Sequence, residues 1–120
     1  MVLEIPLEGE REPLLIGIEN KPWAGDQQEQ IADYLEDLLE KSDNSHILYL
    51  SGDGNGPSPA SLNGLVERLC LIVPYRHKNK ESPSLEGWLL QCREQCEAER
   101  VRWFLIDLLE YIERQFKIPI

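Results

Sequence analysis

The segment that constrains the fold most is an apolar run over residues 13–21 that ends in charge. Its sequence, PLLIGIENK, is rich in branched residues, which is typical of a buried β-strand. The sequence PWAG that follows breaks the strand. We therefore expect a strand that leaves the interior of the protein at a polar site.

Helical and strand patterns alternate along the rest of the chain. Residues 26–41 carry apolar side chains at helical spacing, with Asp26 as the predicted N-cap. Apolar runs at 46–52 and 69–75 predict two more buried strands, and residues 2–7 predict a short one. Apolar stripes predict two C-terminal helices, the first stripe being Leu85, Trp88, Leu89, Cys92 and Cys96 and the second Val101, Phe104, Leu105, Leu108, Leu109, Ile112 and Phe116. Strands separated by helices predict an α/β fold.

The length and composition set the broad class. For 120 residues, one domain spanning 1–120 is the expected organisation. The 42% of hydrophobic and 28% of charged residues are typical of a soluble globular protein. No apolar run approaches the ~20 residues of a membrane helix, and the acidic start lacks the basic region of a signal peptide. The three cysteines have no paired spacing, which favours a reducing cytoplasm as the location.

The formal net charge of −10 bears on any nucleic-acid hypothesis. Nucleic-acid binders usually carry a positive field, because neutralising phosphates supplies much of their affinity. An acidic chain can still bind DNA through a local basic patch and bound cations. The charge therefore counts against strong binding without a metal ion.

Glu19 and Lys21 are the candidate reactive pair. In a strand, residues i and i+2 point to the same face, so this carboxylate and this ammonium leave the strand side by side. A carboxylate there can ligate Mg²⁺, and the backbone carbonyl of Asn20 offers a second oxygen. A lysine beside a metal can orient or deprotonate an attacking water. The tripeptide alone, however, is more often a surface ion pair worth ~0–1 kcal/mol.

A longer string, IGIENKPWAGDQQEQIADYLEDL, resembles the signature of PD-(D/E)XK nuclease-superfamily proteins. In that family a strand ends in E-x-K, and a turn leads into a helix bearing Q-x-x-x-Y. Here the helical pair is Gln30 and Tyr34, one turn apart on one face. The segment ILYLSGDGNGPS and the two C-terminal helices are also similar to the family, so the resemblance covers nearly the whole chain.

The resemblance implies a restriction-endonuclease-like fold, a mixed central β-sheet flanked by α-helices. It also implies a divalent-metal-dependent nuclease that hydrolyses phosphodiesters of DNA, with Mg²⁺ or Mn²⁺ as the cofactor. In this interpretation Glu19 and the Asn20 carbonyl bind the metal, and Glu19 and Lys21 are catalytic. Gln30 and Tyr34 support the site.

The sequence departs from the family in the second acidic metal ligand, normally an Asp on the preceding strand. No Asp precedes Asp26, so the chain looks truncated at its start relative to a complete enzyme. Glu4, fifteen residues before Glu19, is the only candidate substitute, although an exposed strand carboxylate without a role is the favoured interpretation. Glu8 and Glu10 are expected in a turn.

Three functions therefore stay open. The first is a nuclease in which another acidic residue supplies the missing second metal ligand. The second is a non-catalytic interaction or assembly module that keeps the nuclease fold, and the third is a small acidic regulator. In the family a helix usually precedes the strand with the missing Asp, and the sequence here contains no counterpart of it. A fold without that helix would leave apolar surface uncovered, which is compatible with a homodimer.

Other candidate groups have simpler interpretations. The basic segment 75–80, YRHKNK, could meet phosphates, but a solvated loop is favoured. Trp23 could stack on a base or cover the core. Cys92 and Cys96 lie one helical turn apart on an apolar stripe, which favours core packing over zinc binding.

Overall fold

A computed structural model describes residues 1–23, 30–62 and 67–119, apart from the side chains of Ala60 and Glu67. The predicted N-cap Asp26 and the start of the predicted helix, residues 26–29, lie outside the described residues. All structural statements concern the described part of the chain.

The described residues form a four-stranded mixed sheet in the order β1-β2-β3-β4. The strands are β1 (Val2–Ile5), β2 (Leu14–Lys21), β3 (Ser45–Ser51) and β4 (Cys70–Pro74). β1 runs antiparallel to β2, whereas β2, β3 and β4 run parallel. The predicted α/β class with a mixed sheet is therefore confirmed.

Helices connect and follow the strands. They are α1 (Gln30–Lys41), a single turn α2 (Pro59–Leu62), α3 (Leu85–Gln95) and α4 (Glu99–Gln115). α1 connects β2 to β3 along the chain, and a helix is the usual connection between two neighbouring parallel strands. α3 begins after Ser84, whose hydroxyl accepts a hydrogen bond from the backbone N–H of Gly87. Within the described ranges, no helix is both long and apolar enough to cross a membrane.

α1 packs on one face of β2 and β3, called the helix face below. Its residues Ile31, Leu35 and Leu38 are at most 2% exposed. They contact three buried strand residues, Leu15, Ile47 and Tyr49. Gly17 lies beneath the helix, where a Cβ would come within 2.8 Å of Tyr34 Cζ and Leu38 Cδ1. The glycine therefore lets α1 approach β2 closely enough for side chains on the two elements to meet.

The other helices build a second core at the carboxyl end of the sheet. α3 and α4 pack against each other and enclose Tyr75, which directly follows β4. The buried helical and C-terminal residues of this core are Leu89, Leu105, Leu109, Ile112 and Phe116. Cys92 and Cys96 pack at its edge as free thiols, as the helical pattern predicts.

The sheet face opposite α1, called the open face, is covered only in part. An apolar cleft of about 580 Å³ lies between this face and the start of α3, lined in part by Leu3, Ile18, Leu48 and Trp88. The prediction of a third buried strand is wrong, because Leu71 of β4 is 62% and Ile72 is 42% exposed. β4 is an edge strand, and α1 packs over β2 and β3 instead.

The predicted helical stripes are also only partly buried. Trp88 of α3 is 60% exposed, and Phe104 and Val101 of α4 are 63% and 48% exposed. The apolar stripe of each helix covers a wider arc than the surface of the second core that packs against it. Helical periodicity identified the apolar arc, but the neighbouring elements decide which part of it is buried.

Shortening Leu35 to alanine tests the core beneath α1. Leu35 is 0% exposed, so the Leu35→Ala variant should lose about 2–5 kcal/mol of unfolding free energy in urea denaturation. The matched control is Glu36→Ala, an exposed neighbour in the same helix, which should change stability by less than about 0.5 kcal/mol. Equal effects of the two variants would contradict this packing.

Candidate active site

The end of β2 lies at the carboxyl edge of the parallel strands. Lys21 is paired in register with Ser51, the last residue of β3, and the N–H of Gly52 donates a 2.9 Å hydrogen bond to the Lys21 carbonyl. A Cβ on Gly52 would lie 2.0 Å from the Pro22 carbonyl oxygen, so no larger residue fits there without a backbone shift. In parallel sheets this edge is where ligands bind.

Glu19, Lys21 and Gln30 form a closed triangle of contacts at this edge. Lys21 Nζ lies 3.3 Å from Glu19 Oε1 and donates a 2.8 Å hydrogen bond to Gln30 Oε1. The Gln30 amide Nε2 in turn donates a 3.0 Å hydrogen bond to Glu19 Oε1. The alternation of β2 thus places the carboxylate and the ammonium together on the helix face, and α1 adds the amide that joins them.

The triangle leaves specific atoms open for a ligand. The side chains of Glu19 and Lys21 are each 19% exposed, so both are half-buried but reachable. The hydrogen bond from Gln30 falls on Glu19 Oε1, which leaves Oε2 without a hydrogen bond to the described residues. Lys21 carries three N–H donors, gives one of them to Gln30 and lies in an ion pair with Glu19. One carboxylate oxygen and one ammonium donor can therefore act on a bound group.

Gln30 is held in place by the first turn of α1. The adjacent backbone N–H of Ile31 donates a 3.2 Å hydrogen bond to the hydroxyl of Ser61, which is 0% exposed in α2. This contact satisfies one of the backbone donors that every helix start leaves unpaired. α2 therefore anchors the end of α1 that presents Gln30 to Glu19 and Lys21.

Tyr34, the second predicted supporting residue, takes a different position. Its hydroxyl donates a 2.6 Å hydrogen bond to the Met1 carbonyl, which also accepts a 2.8 Å bond from the Ile18 N–H. The Tyr34 ring packs over Gly17. Tyr34 thus ties the start of β1 to β2 beside Glu19 and makes no described hydrogen bond to Glu19 or Lys21.

Asn20 points to the opposite face of the sheet from its neighbours. Its side-chain Oδ1 accepts a hydrogen bond from the buried Tyr75 hydroxyl. The backbone N–H of Ile18 donates a hydrogen bond to the Met1 carbonyl, so the main-chain groups of Ile18 point towards β1. Those of Asn20, two residues further along β2, point to the same side, so the Asn20 carbonyl is also directed towards β1. Asn20 therefore uses its side chain to bind the second core and directs its carbonyl to the side of β2 where β1 lies.

The register of β1 excludes Glu4 as a partner of Glu19. Glu4 pairs with Leu15, four residues before Glu19 along β2, which is about 13 Å away at ordinary strand rise. The same register places the position opposite Glu19 one step before Met1. Glu4 is an exposed strand carboxylate, as the favoured interpretation has it. Among the described residues, no group of three or more His, Cys, Asp or Glu side chains could hold a metal ion together.

The basic segment 75–80 divides into two parts. Arg76 makes a 3.3 Å ion pair with Glu86 and a 3.1 Å hydrogen bond to the Phe116 carbonyl, so it joins β4 to α3 and the end of α4. Lys78 and Lys80 are exposed. Only the half of the segment that contains Lys78 and Lys80 is the solvated loop that the sequence predicts. Sequence reasoning missed the contribution of Gly52 to the site, although parallel strands that end at one edge were a usable signal.

Two tyrosines at the site should make stability fall at alkaline pH. Burial raises the pKa of Tyr34 above its usual value of 10.0, more than the backbone N–H of Ile18 lowers it, and the charge of Glu19 adds to the increase. Burial likewise raises the pKa of Tyr75. The unfolded chain loses these protons first, so unfolding free energy should decrease as pH rises through about 10.

Urea denaturation between about pH 8 and pH 11 measures this decrease. Tyr34→Phe and Tyr75→Phe should each flatten the slope of unfolding free energy against pH. Tyr111→Phe is the comparison variant with the same number of tyrosines and should flatten the slope less, since Tyr111 is 44% exposed and its charge is the smallest of the causes that shift the pKa of Tyr75. A slope that is flattened equally by all three variants would contradict this assignment.

Comparison with known proteins identifies the family of the chain. The model of the PD-(D/E)XK nuclease superfamily matches residues 2–113, which is most of the chain. Comparison with curated protein sequences and with solved structures gives no match. The matched range contains the whole sheet, the E-x-K end of β2 and the helix with Gln30. The chain belongs to the PD-(D/E)XK nuclease superfamily.

Proposed function

We propose that this protein is a divalent-metal-dependent nuclease that hydrolyses phosphodiester bonds of DNA. The observation that carries the proposal is the triangle of Glu19, Lys21 and Gln30 at the carboxyl edge of the sheet. A half-buried carboxylate and ammonium at this edge serve a phosphate and a cation better than they serve stability, because the cost of removing both groups from water offsets their attraction. Family membership supports a nuclease-like function independently.

The donor set fits a weakly held Mg²⁺ or Mn²⁺. Glu19 Oε2 is open, and the Asn20 carbonyl is a second oxygen on the adjacent residue. Mg²⁺ commonly binds through one or two carboxylates and keeps several waters and substrate phosphate oxygens as its other ligands. A cation held there supplies positive charge to the phosphate and acidifies bound water.

Lys21, Gln30 and Tyr34 have different roles around this position. An N–H of Lys21 that is not given to Gln30 can hold the attacking water in line with the phosphorus. Gln30 keeps both reactive side chains in place through its two bonds and thereby reduces what must be ordered when the substrate binds. Tyr34 fixes β1 against β2 beside Glu19 and acts as a positioning residue.

Substitution of the reactive pair tests the catalytic assignment. Glu19→Gln and Lys21→Ala should each lower the Mg²⁺-dependent rate of cleavage of a labelled DNA by about a hundredfold or more, since a positioned acid or base contributes at least that much. Glu4→Gln removes a carboxylate of β1 that lies far from the site, and it should cleave at the wild-type rate. Cleavage that survives both substitutions in the pair would disprove the roles of Glu19 and Lys21.

A metal titration separates the nuclease from the alternative function. Calorimetry with Mn²⁺ should show weak binding that Glu19→Gln abolishes and Glu4→Gln preserves, because one carboxylate supplies little charge. Absence of Mn²⁺ binding at millimolar concentration would favour a non-catalytic interaction module over a nuclease.

The second candidate function is a non-catalytic interaction or assembly module that keeps the nuclease fold. Two observations favour it: a single carboxylate, Glu19, stands beside Lys21 in the described part of the chain, and the net charge is −10. The open face, where Leu71 is 62% and Leu3 is 44% exposed, is suited to contact another protein. Homodimerisation stays a prediction.

A further inference from the structure

Trp23 is an exposed aromatic side chain at the edge of the candidate active site. It follows Lys21 by two residues, so its Cα lies within about 7 Å of the Lys21 Cα. Trp23 is 58% exposed, although its ring is one of the largest apolar groups in a protein. The nuclease mechanism above does not use it.

The Trp23 ring is held on one side by a buried aromatic group. It stacks on Phe116 with ring centroids 4.7 Å apart and an interplanar angle of 19°. Phe116 is 6% exposed and packs against Tyr75 at 4.6 Å. Tyr75 in turn hydrogen-bonds Asn20, the middle residue of the E-x-K motif. The orientation of Trp23 is therefore linked to the strand that carries Glu19 and Lys21.

A cavity of about 450 Å³ lies beside this ring and is lined by Trp23, Gly52, Asp53 and residues 115–119, among others. This volume is within the usual range for a small-molecule site. Asp53 is fixed by 2.9 Å hydrogen bonds from the Ser51 hydroxyl and the Asn55 N–H. A carboxylate has about four acceptor positions, so Asp53 can accept further bonds from the amino group of a base. Lys117, also in the lining, can meet a phosphate.

We propose that Trp23 and this cavity form a subsite that stacks one unpaired base of a DNA strand next to the scissile phosphate. Both faces of a base inside a duplex are already covered by its neighbours, and a terminal base is held by its pairing partner, so only an unpaired base can enter a cavity beside the ring. Trp23 is stacked on Phe116 before the base arrives, so little side-chain freedom is lost on binding. The substrate class is therefore DNA with a single-stranded segment.

The charge of the protein supports a stacking contribution. With a net charge of −10, attraction to the phosphate backbone is weak, and stacking supplies affinity that does not depend on charge. Single-strand binding should accordingly be less sensitive to salt than that of a basic nuclease. This inference rests on the proposed function, because it concerns a substrate of the same site.

The test uses the other two tryptophans as matched controls. The chain has three tryptophans, and Trp88 and Trp103 are 60% and 57% exposed on helices α3 and α4. Binding of a fluorescent oligothymidine and of a blunt duplex of equal length is measured by anisotropy, with Ca²⁺ replacing Mg²⁺. Trp23→Ala should weaken single-strand binding about tenfold and leave duplex binding unchanged. Trp88→Ala and Trp103→Ala should bind both DNAs as the wild type does.

A second measurement covers the case in which Trp23→Ala unfolds. In the double variant W88F/W103F, Trp23 is the sole tryptophan, and unlabelled oligothymidine should quench its fluorescence while blunt duplex does not. Absence of quenching on a bound single strand, or equal affinity of wild type and folded Trp23→Ala for that strand, overturns the stacking subsite and leaves the nuclease proposal standing. Absence of any DNA binding by the wild type overturns both.

Discussion

The bond network of Glu19, Lys21 and Gln30 is the constraint on which the site depends. A carboxylate and an ammonium that leave a buried strand side by side must be paired, because each lost its water when α1 packed over β2. Gln30 supplies a donor to one and an acceptor to the other. The packing of Ile31, Leu35 and Leu38 on the sheet therefore also fixes the chemistry at its edge.

The parallel pairing of β2 and β3 brings two different groups to one edge of the sheet. Glu19 and Lys21 lie on the helix face, where the proposed cation and phosphate would bind. Asn20 faces the other way and connects through Tyr75 to the aromatic group of Phe116 and Trp23. One three-residue strand end thus links the proposed reactive pair and the proposed stacking surface. The alternation of the strand makes this possible, since neighbouring side chains point to opposite faces.

In the described part of the chain, several apolar side chains of the sheet and of helices α3 and α4 stay exposed. α1 buries the helix face, whereas α3 and α4 reach only the carboxyl end of the open face. Leu71, Trp88 and Phe104 stay more than half exposed. Surface of this kind commonly marks a contact with another molecule, so the interaction-module hypothesis has a physical basis apart from the active site.

Much of the site followed from local rules. The period of two in a strand predicts that Glu19 and Lys21 share a face, and the helical repeat predicts that Gln30 and Tyr34 do. The family signature added the expectation that the strand and the helix lie together. None of these rules distinguishes Gln30, which bonds both reactive residues, from Tyr34, which bonds the Met1 carbonyl.

The sequence alone determined the four strands, the three longer helices α1, α3 and α4, the α/β class and the pairing of Glu19 with Lys21, because each depends on residues close together in the chain. Only the tertiary structure decided that Glu4 lies opposite Leu15 and that Trp23 stacks on Phe116, far along the chain. It also decided that β4 and the outer sides of α3 and α4 stay exposed. Those outcomes depend on strand register and on which elements meet, and both are set by packing between distant segments.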